Sequence, residues 1–249
     1  MITLLLKRRL WIIKNRIYST FGLLFLLPVF LHVVINLSFK RMVVNPLWNV
    51  PHEQWILPGL VIIVVFIMMI PIVYRDLFEL RIRNKLLPSL ILAPTTHYRF
   101  LFSFITATII ETAIYSIITI GIFSIIMIPG LSIVEYLIMF PFILLFIGIG
   151  VNILITLALI IDKTTLSNVI VLTFFMFIIF GSGLIVSFEY FPRIVGDILR
   201  YLPTGQIMQS LRMAMFSFAF NWIIIVLVII SIIAWSFINS MVFEKRLYK

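Results

Sequence analysis

Six apolar runs divide the chain, at roughly 21–39, 56–74, 101–128, 136–161, 168–187 and 220–242, each long enough to cross the ~30 Å hydrocarbon core of a bilayer as an α-helix. The pattern predicts an all-α integral membrane protein with six transmembrane helices. Ahead of the first run, residues 1–20 place Leu6, Leu10, Ile13 and Ile17 at spacings of four, three and four, with Lys7, Lys14 and Arg16 away from that stripe. This spacing predicts an amphipathic helix lying in the membrane interface. Trp11 is then expected at headgroup depth, and Lys7, Arg8 and Lys14 toward lipid phosphates. The basic cluster Lys7, Arg8, Arg9 interrupts the apolar run and no small-residue cleavage site follows, so the segment does not read as a signal peptide.

Two longer segments lie between the runs. Residues 75–100 begin with charges that can extend the second span as a helix, and then Pro88 and Pro94 bracket a short apolar stretch, Ser89 to Ala93, too short to cross anything. Such a stretch is expected to be a docking surface. Residues 188–216 carry Ile194, Ile198 and Leu202, then Met208, Leu211 and Met215, at helical spacing on either side of Pro203. Two short amphipathic helices dipping back toward the membrane are predicted, opened by Pro192 and Pro203.

Composition agrees with this picture: 63% of the 249 residues are hydrophobic, 11% are charged, and the mean hydropathy is +1.23. A water-soluble enzyme is excluded, since soluble domains carry about 25% charged residues. Six spans with modest loops use the whole length, leaving a single transmembrane domain and no room for a second folded one. The net charge of +10 could suggest nucleic acid, but the charges sort by loop. With both termini in the cytoplasm, 14 Lys and Arg fall inside and five (Lys40, Arg41, Arg193, Arg200, Arg212) outside. That bias predicts an N-in, C-in topology, and no continuous basic face interleaved with aromatics is left for nucleic acid.

Catalytic chemistry is sparse. Cysteine is absent, and His32, His52 and His97 form no metal-ligating pair, so no metal site is expected. No Gly-Lys pair exists to form a phosphate-binding loop. Gly181-Ser182-Gly183 lacks the spacing of a nucleophile elbow and reads as close helix packing at small residues. Polar residues inside the spans are more informative, because an ionisable group at the bilayer centre costs at least ~2.5 kcal/mol on insertion scales. Glu111 lies about ten residues into the third span, ~15 Å from its cytoplasmic end at 1.5 Å per residue and hence near mid-membrane. Thr108, Glu111, Thr112, Tyr115, Ser116 and Thr119 share one helical face. That face must point at protein or at a water-filled path. His32 and Asn36 in the first span, and Asn152 and Thr156 in the fourth, come out at comparable depth and are candidate partners for Glu111. A substrate path lined by Glu111, Tyr115, Thr108, Thr112, His32 and Asn152, and interhelical hydrogen bonding, satisfy the same energetics.

The order of parts resembles the membrane subunit of ABC-2 type exporters. Trp55-Ile56-Leu57-Pro58-Gly59-Leu60 looks like that family's entry to the second span. Arg83-Asn84-Lys85-Leu86-Leu87 through Leu92-Ala93-Pro94-Thr95-Thr96 is similar to the cytoplasmic loop that docks on the ATPase. Gly183, Phe191-Pro192, Leu202-Pro203 and Leu211-Arg212 are similar to the segment after the fifth span. The resemblance implies a permease in a plasma (inner) membrane of bacterial type, paired with a second copy as a homodimer or heterodimer. It also implies a separate cytoplasmic ATPase that binds ATP and Mg, so that this chain is not itself an enzyme and holds no cofactor. The ATPase contact would fall on Leu86, Leu87, Leu90, Leu92 and Thr95. The exported substrate would be a lipid, a lipid-linked glycan or an amphiphilic drug. Two other classes remain open at this point: an intramembrane lipid-modifying enzyme using Glu111 and His32 as an acid/base pair, and a structural assembly factor.

Overall fold

The computed structural model describes residues 2–38, 50–78, 81, 97–127 and 130–247. Among them every regular element is helical, and six helices are long and apolar enough to span a membrane. In chain order the α-helices are α1 (Ile2–Asn15), α2 (Ile17–Leu31), α3 (His52–Val73), α4 (His97–Ile126), α5 (Ile133–Ile160), α6 (Thr164–Gly181), α7 (Arg193–Tyr201), α8 (Pro203–Ser217) and α9 (Trp222–Leu247). The spans are α2 to α6 and α9. Residues 86–95, on which the expected ATPase contact falls, lie outside the described residues.

Two spans continue as π-helix, α2 through His32–Leu37 and α3 through Tyr74–Phe78. Each follows a proline inside the helix, Pro28 and Pro71. Proline lacks an N–H and its ring crowds the carbonyl one turn back, and a widened turn is one way to re-satisfy backbone groups where water is scarce. The second π turn carries Asp76, whose side chain is buried. α5 starts at a capping box, in which Ser132 Oγ accepts from the Glu135 N–H at 3.3 Å and the Glu135 carboxylate accepts from the Ser132 N–H at 2.6 Å. At its other end, Arg81 donates to the carbonyls of Leu159 and Ile161, and Arg246 Nη2 donates to that of Ile160 at 3.1 Å. Both arginines also pair with Asp162. Cations thus answer the orphan carbonyls of a helix C-terminus.

The spans are not equivalent. In α3, 83% of the apolar window is buried within the chain and in α5 72%, against 39% in α4 and 22% in α2, α6 and α9. The bundle is therefore built around α3 and α5, with α4 packed on both. α8 also lies against α5 and α9, burying Met208, Leu211 and Met215. Its companion α7 leaves Ile194 and Ile198 exposed, so the two predicted helices exist but present their apolar stripes differently.

The fifth span stops at Gly181, several residues earlier than the apolar run implies. Gly183 adopts φ +71, a left-handed conformation that ends the helix there. Leu184 then crosses α3 so closely that a Cβ on Gly59 would lie 2.1 Å from its carbonyl oxygen. Ser182 Oγ donates to Thr204 Oγ1 at 2.7 Å, tying the turn to α8. The small residues at 181–183 thus serve a chain reversal rather than helix packing in mid-span.

Candidate functional site

The N-terminal helix is held by a buried cation. Arg9 is 2% exposed, whereas Leu10 and Trp11 beside it are 62% and 65% exposed. Of the expected apolar stripe, Leu6 and Ile13 are half-buried and Leu10 and Ile17 exposed. Arg9 Nε donates to Asp76 Oδ2 at 3.0 Å and Nη2 donates to Thr108 Oγ1 at 2.9 Å. Its Nη1 lies 3.2 Å from Glu111 Oε2, a charge contact that is not aligned as a hydrogen bond. The guanidinium also sits 5.2 Å from the centre of the Phe104 ring. Burial pulls the Arg9 pKa down, and Asp76 and then Glu111 push it back up. An arginine stays protonated under these conditions, so the centre is one buried cation between two carboxylates.

Neighbouring groups complete it. Arg75 Nε donates to Asp76 Oδ1 at 2.8 Å, and Arg8, 3.8 Å from the same oxygen, approaches from the surface. Tyr115 donates its hydroxyl to Glu111 Oε1 at 2.9 Å. The whole polar stripe of α4 is buried: Thr108, Thr112, Ser116 and Thr119 have no exposure, and Glu111 and Tyr115 little. Thr112, Ser116 and Thr119 turn their hydroxyls back to the carbonyls of Thr108, Ala113 and Tyr115, a local bond that satisfies them inside one helix.

One expectation about Glu111 is corrected by this geometry. Its partners among the described residues are Arg9 and Tyr115, not His32 or Asn152. Through Arg9 it stands beside Asp76, ~36 Å along α3 from His52 at 1.5 Å per residue, while on its own helix it is near the middle of the third span, Tyr98–Ile126.

His32 lies elsewhere, its Nδ1 3.3 Å from the Asn36 side-chain nitrogen one turn along the same helix. Asn152 belongs to a separate network between α5 and α9. Asn239 Nδ2 donates to the Asn152 Oδ1 and main-chain oxygen at 3.1 and 3.0 Å, and Ser236 Oγ donates to Asn152 Oδ1 at 3.0 Å. Thr156 Oγ1 donates to Asn239 Oδ1 at 2.7 Å while accepting from Trp235 Nε1 at 3.0 Å. Every one of these residues bonds across to the facing helix, as interhelical hydrogen bonding requires, while Asn152 Nδ2 donates to the Gly148 carbonyl of its own helix at 2.9 Å. Of the six expected path residues, then, Thr108, Glu111 and Tyr115 stand in one centre. Thr112 is bonded within α4, and His32 and Asn152 are apart.

A cavity of about 180 Å³ opens beside the charged centre. Leu6, Leu10 and Ile13 of α1, Phe21 and Leu24 of α2, and Ile114 and Ile118 of α4 form its apolar wall; Arg9, Glu111, Tyr115 and Thr20 supply its polar groups. Pockets that enclose whole ligands run to ~300–1,000 Å³. This one has room for part of an amphiphile, with the charged pair at one side. Among the described residues no group of His, Asp and Glu could hold a metal ion.

Lys7, Arg8, Trp11 and Lys14 all stay accessible, on the outward face of α1. Arg9 and Asp76 were not singled out from the sequence. An arginine followed two spans later by an aspartate at a span end is a detectable signal, since each needs a counter-charge once buried. No family model matches the chain, and neither a curated protein nor a solved structure shows significant similarity to it.

Proposed function

We propose that this chain is the permease subunit of an ATP-driven exporter of the ABC-2 kind. It carries an amphiphilic substrate, a lipid, lipid-linked glycan or drug, outward with power from a separate ATPase subunit that binds ATP and Mg. The observation that carries the reading is the Arg9 clamp. Asp76 stands just before the 79–96 segment and Glu111 stands on the helix that follows it, so one side chain of α1 joins both flanks of that segment. Force applied to the segment by a partner would pass to α1 and to the cavity wall together. The cavity, apolar with a charged end, matches the chemistry of an amphiphile.

In this reading both termini are cytoplasmic, consistent with 14 of the 19 Lys and Arg lying on that side. α1 lies along the inner face of a plasma membrane of bacterial type, α7 and α8 dip in from the outside, and a second permease copy completes the path. Leu86, Leu87, Leu90, Leu92 and Thr95 meet the ATPase. The test is to purify the full chain from its native membrane and identify what comes with it. A co-purifying ATPase, lost when Leu90→Asp and Leu92→Asp are combined, supports the reading. Recovery of the chain without any nucleotide-hydrolysing partner in several mild detergents overturns it.

A further inference from the structure

At the end of the bundle opposite Arg9, a second buried guanidinium has no acid to answer it among the described residues. Arg212 of α8 is 7% exposed. It lies over the Trp55 indole, 3.6 Å from the ring centre, and its Nη2 donates one long hydrogen bond, 3.4 Å, to the Leu184 carbonyl. Its Nε has no hydrogen-bond partner among the described residues. Among the described residues no carboxylate lies within ion-pair distance of it, whereas Arg9, buried as deeply, is held between two. Burial pushes the Arg212 guanidinium down to about 9, which leaves it charged at neutral pH. Stacking on tryptophan offsets part of the desolvation of a buried cation, but leaves its N–H fork largely unused.

That fork borders a cavity of about 50 Å³, which Ser187, Gln209 and Arg200 also line, together with the exposed carboxylate Glu189. A single buried water needs about 10–15 Å³ measured this way, so the space suits a group of a few heavy atoms and not a sugar ring. Arginine's planar fork fits phosphate oxygens two at a time. Arg200 and Glu189 also line a wider cleft of about 410 Å³ that runs on to Arg193 and Asp197. Beside that cleft, α7 exposes Ile194 and Ile198.

We propose that Arg212, with Arg200, Gln209 and Ser187, forms a binding site for one phosphate group, lipid-borne or free. The missing counter-charge is then supplied by the bound anion, and Glu189 at the rim limits the charge the site accepts. The wider cleft gives the remainder of a lipid headgroup somewhere to lie, with its acyl chains along the exposed face of α7. The site stands on geometry independent of the exporter reading, and would remain if that reading failed.

The test uses the full chain in dodecyl maltoside, which carries no phosphate, with two probes: inorganic phosphate and dihexanoyl phosphatidylglycerol. Binding is followed by thermal shift and titration calorimetry, with dihexanoyl glycerol as the uncharged control. Binding of either phosphate probe, weakened at least tenfold by Arg212→Gln and by Arg200→Gln, supports the site. Phosphatidylglycerol alone marks a lipid headgroup site; inorganic phosphate with equal affinity marks a free-anion site. Since Arg212→Gln can fail to fold, Arg200→Gln and Gln209→Ala, both at half-buried positions, decide on their own. Absence of binding by both probes, or affinities unchanged in these variants, overturns the proposal.

Discussion

Arg9 and Glu111, the one on the N-terminal helix and the other halfway along α4, meet at 3.2 Å inside the bundle, with Asp76 on the opposite side of the same guanidinium. A helix expected to rest on the bilayer is thereby bolted to the spans by charge. Removing one partner of a buried ion pair costs about 3–5 kcal/mol, because the other is left uncompensated. Arg9→Ala should therefore lower the melting temperature in detergent by far more than Arg8→Ala, whose side chain is largely solvated. Arg9→Lys should fall between, keeping the charge and losing the fork. Equal melting of Arg9→Ala and the wild type would contradict the clamp.

Glu111 separates two roles of the cavity. If the cavity takes substrate, Glu111→Gln should leave the protein assembled yet alter export or substrate-stimulated ATP hydrolysis by the complex. If the carboxylate only braces Arg9, Glu111→Gln should change stability alone, and Tyr115→Phe should cost about 1.5–3 kcal/mol, the usual net worth of a hydrogen bond to a charged group. Export assays and melting curves on the same preparations distinguish the outcomes.

The Asn152–Asn239 pair is expected to be structural. A double-mutant cycle with Asn152→Ala and Asn239→Ala should give a coupling of about 0.6 kcal/mol, and at most about 1.7, as for hydrogen bonds between membrane helices. Transport should track folded protein in all three variants. A specific loss of export in well-folded Asn152→Ala would return that residue to the path.

Gly59 should not tolerate a side chain. A Cβ there meets the Leu184 backbone, which cannot step aside without moving the turn at Gly183. Gly59→Ala should destabilise by about 1–3 kcal/mol, the usual cost of overpacking. Gly121→Ala on α4, where nothing lies within 4 Å, should be neutral or stabilise by up to about 1 kcal/mol through helix propensity. Thermal melting of the two variants side by side checks both.

Chain order alone was enough for the six spans, the N-terminal helix and the two helices broken at Pro203. Those follow from local rules: a bilayer demands runs of apolar residues whose backbone is satisfied within the segment, and proline opens helices but does not continue them. That the polar stripe of α4 turns inward was equally legible, since lipid offers Glu111 nothing. Which partner it finds was not. Depth counted along a helix does not say which neighbouring helix faces a residue, and depth alone set His32 and Asn152 beside Glu111. Nor could hydropathy say that α3 and α5 form the centre while α2, α6 and α9 stand at the edge. In water an apolar stripe marks the buried face of a helix, but lipid and protein interior are both apolar, so the lipid-facing and protein-facing sides of these spans read alike. Arg9 was one basic residue among three until folding brought Asp76 and Glu111 to it. Only tertiary structure decides which charge is buried, because a charge can leave water only where counter-charges from distant parts of the chain already stand.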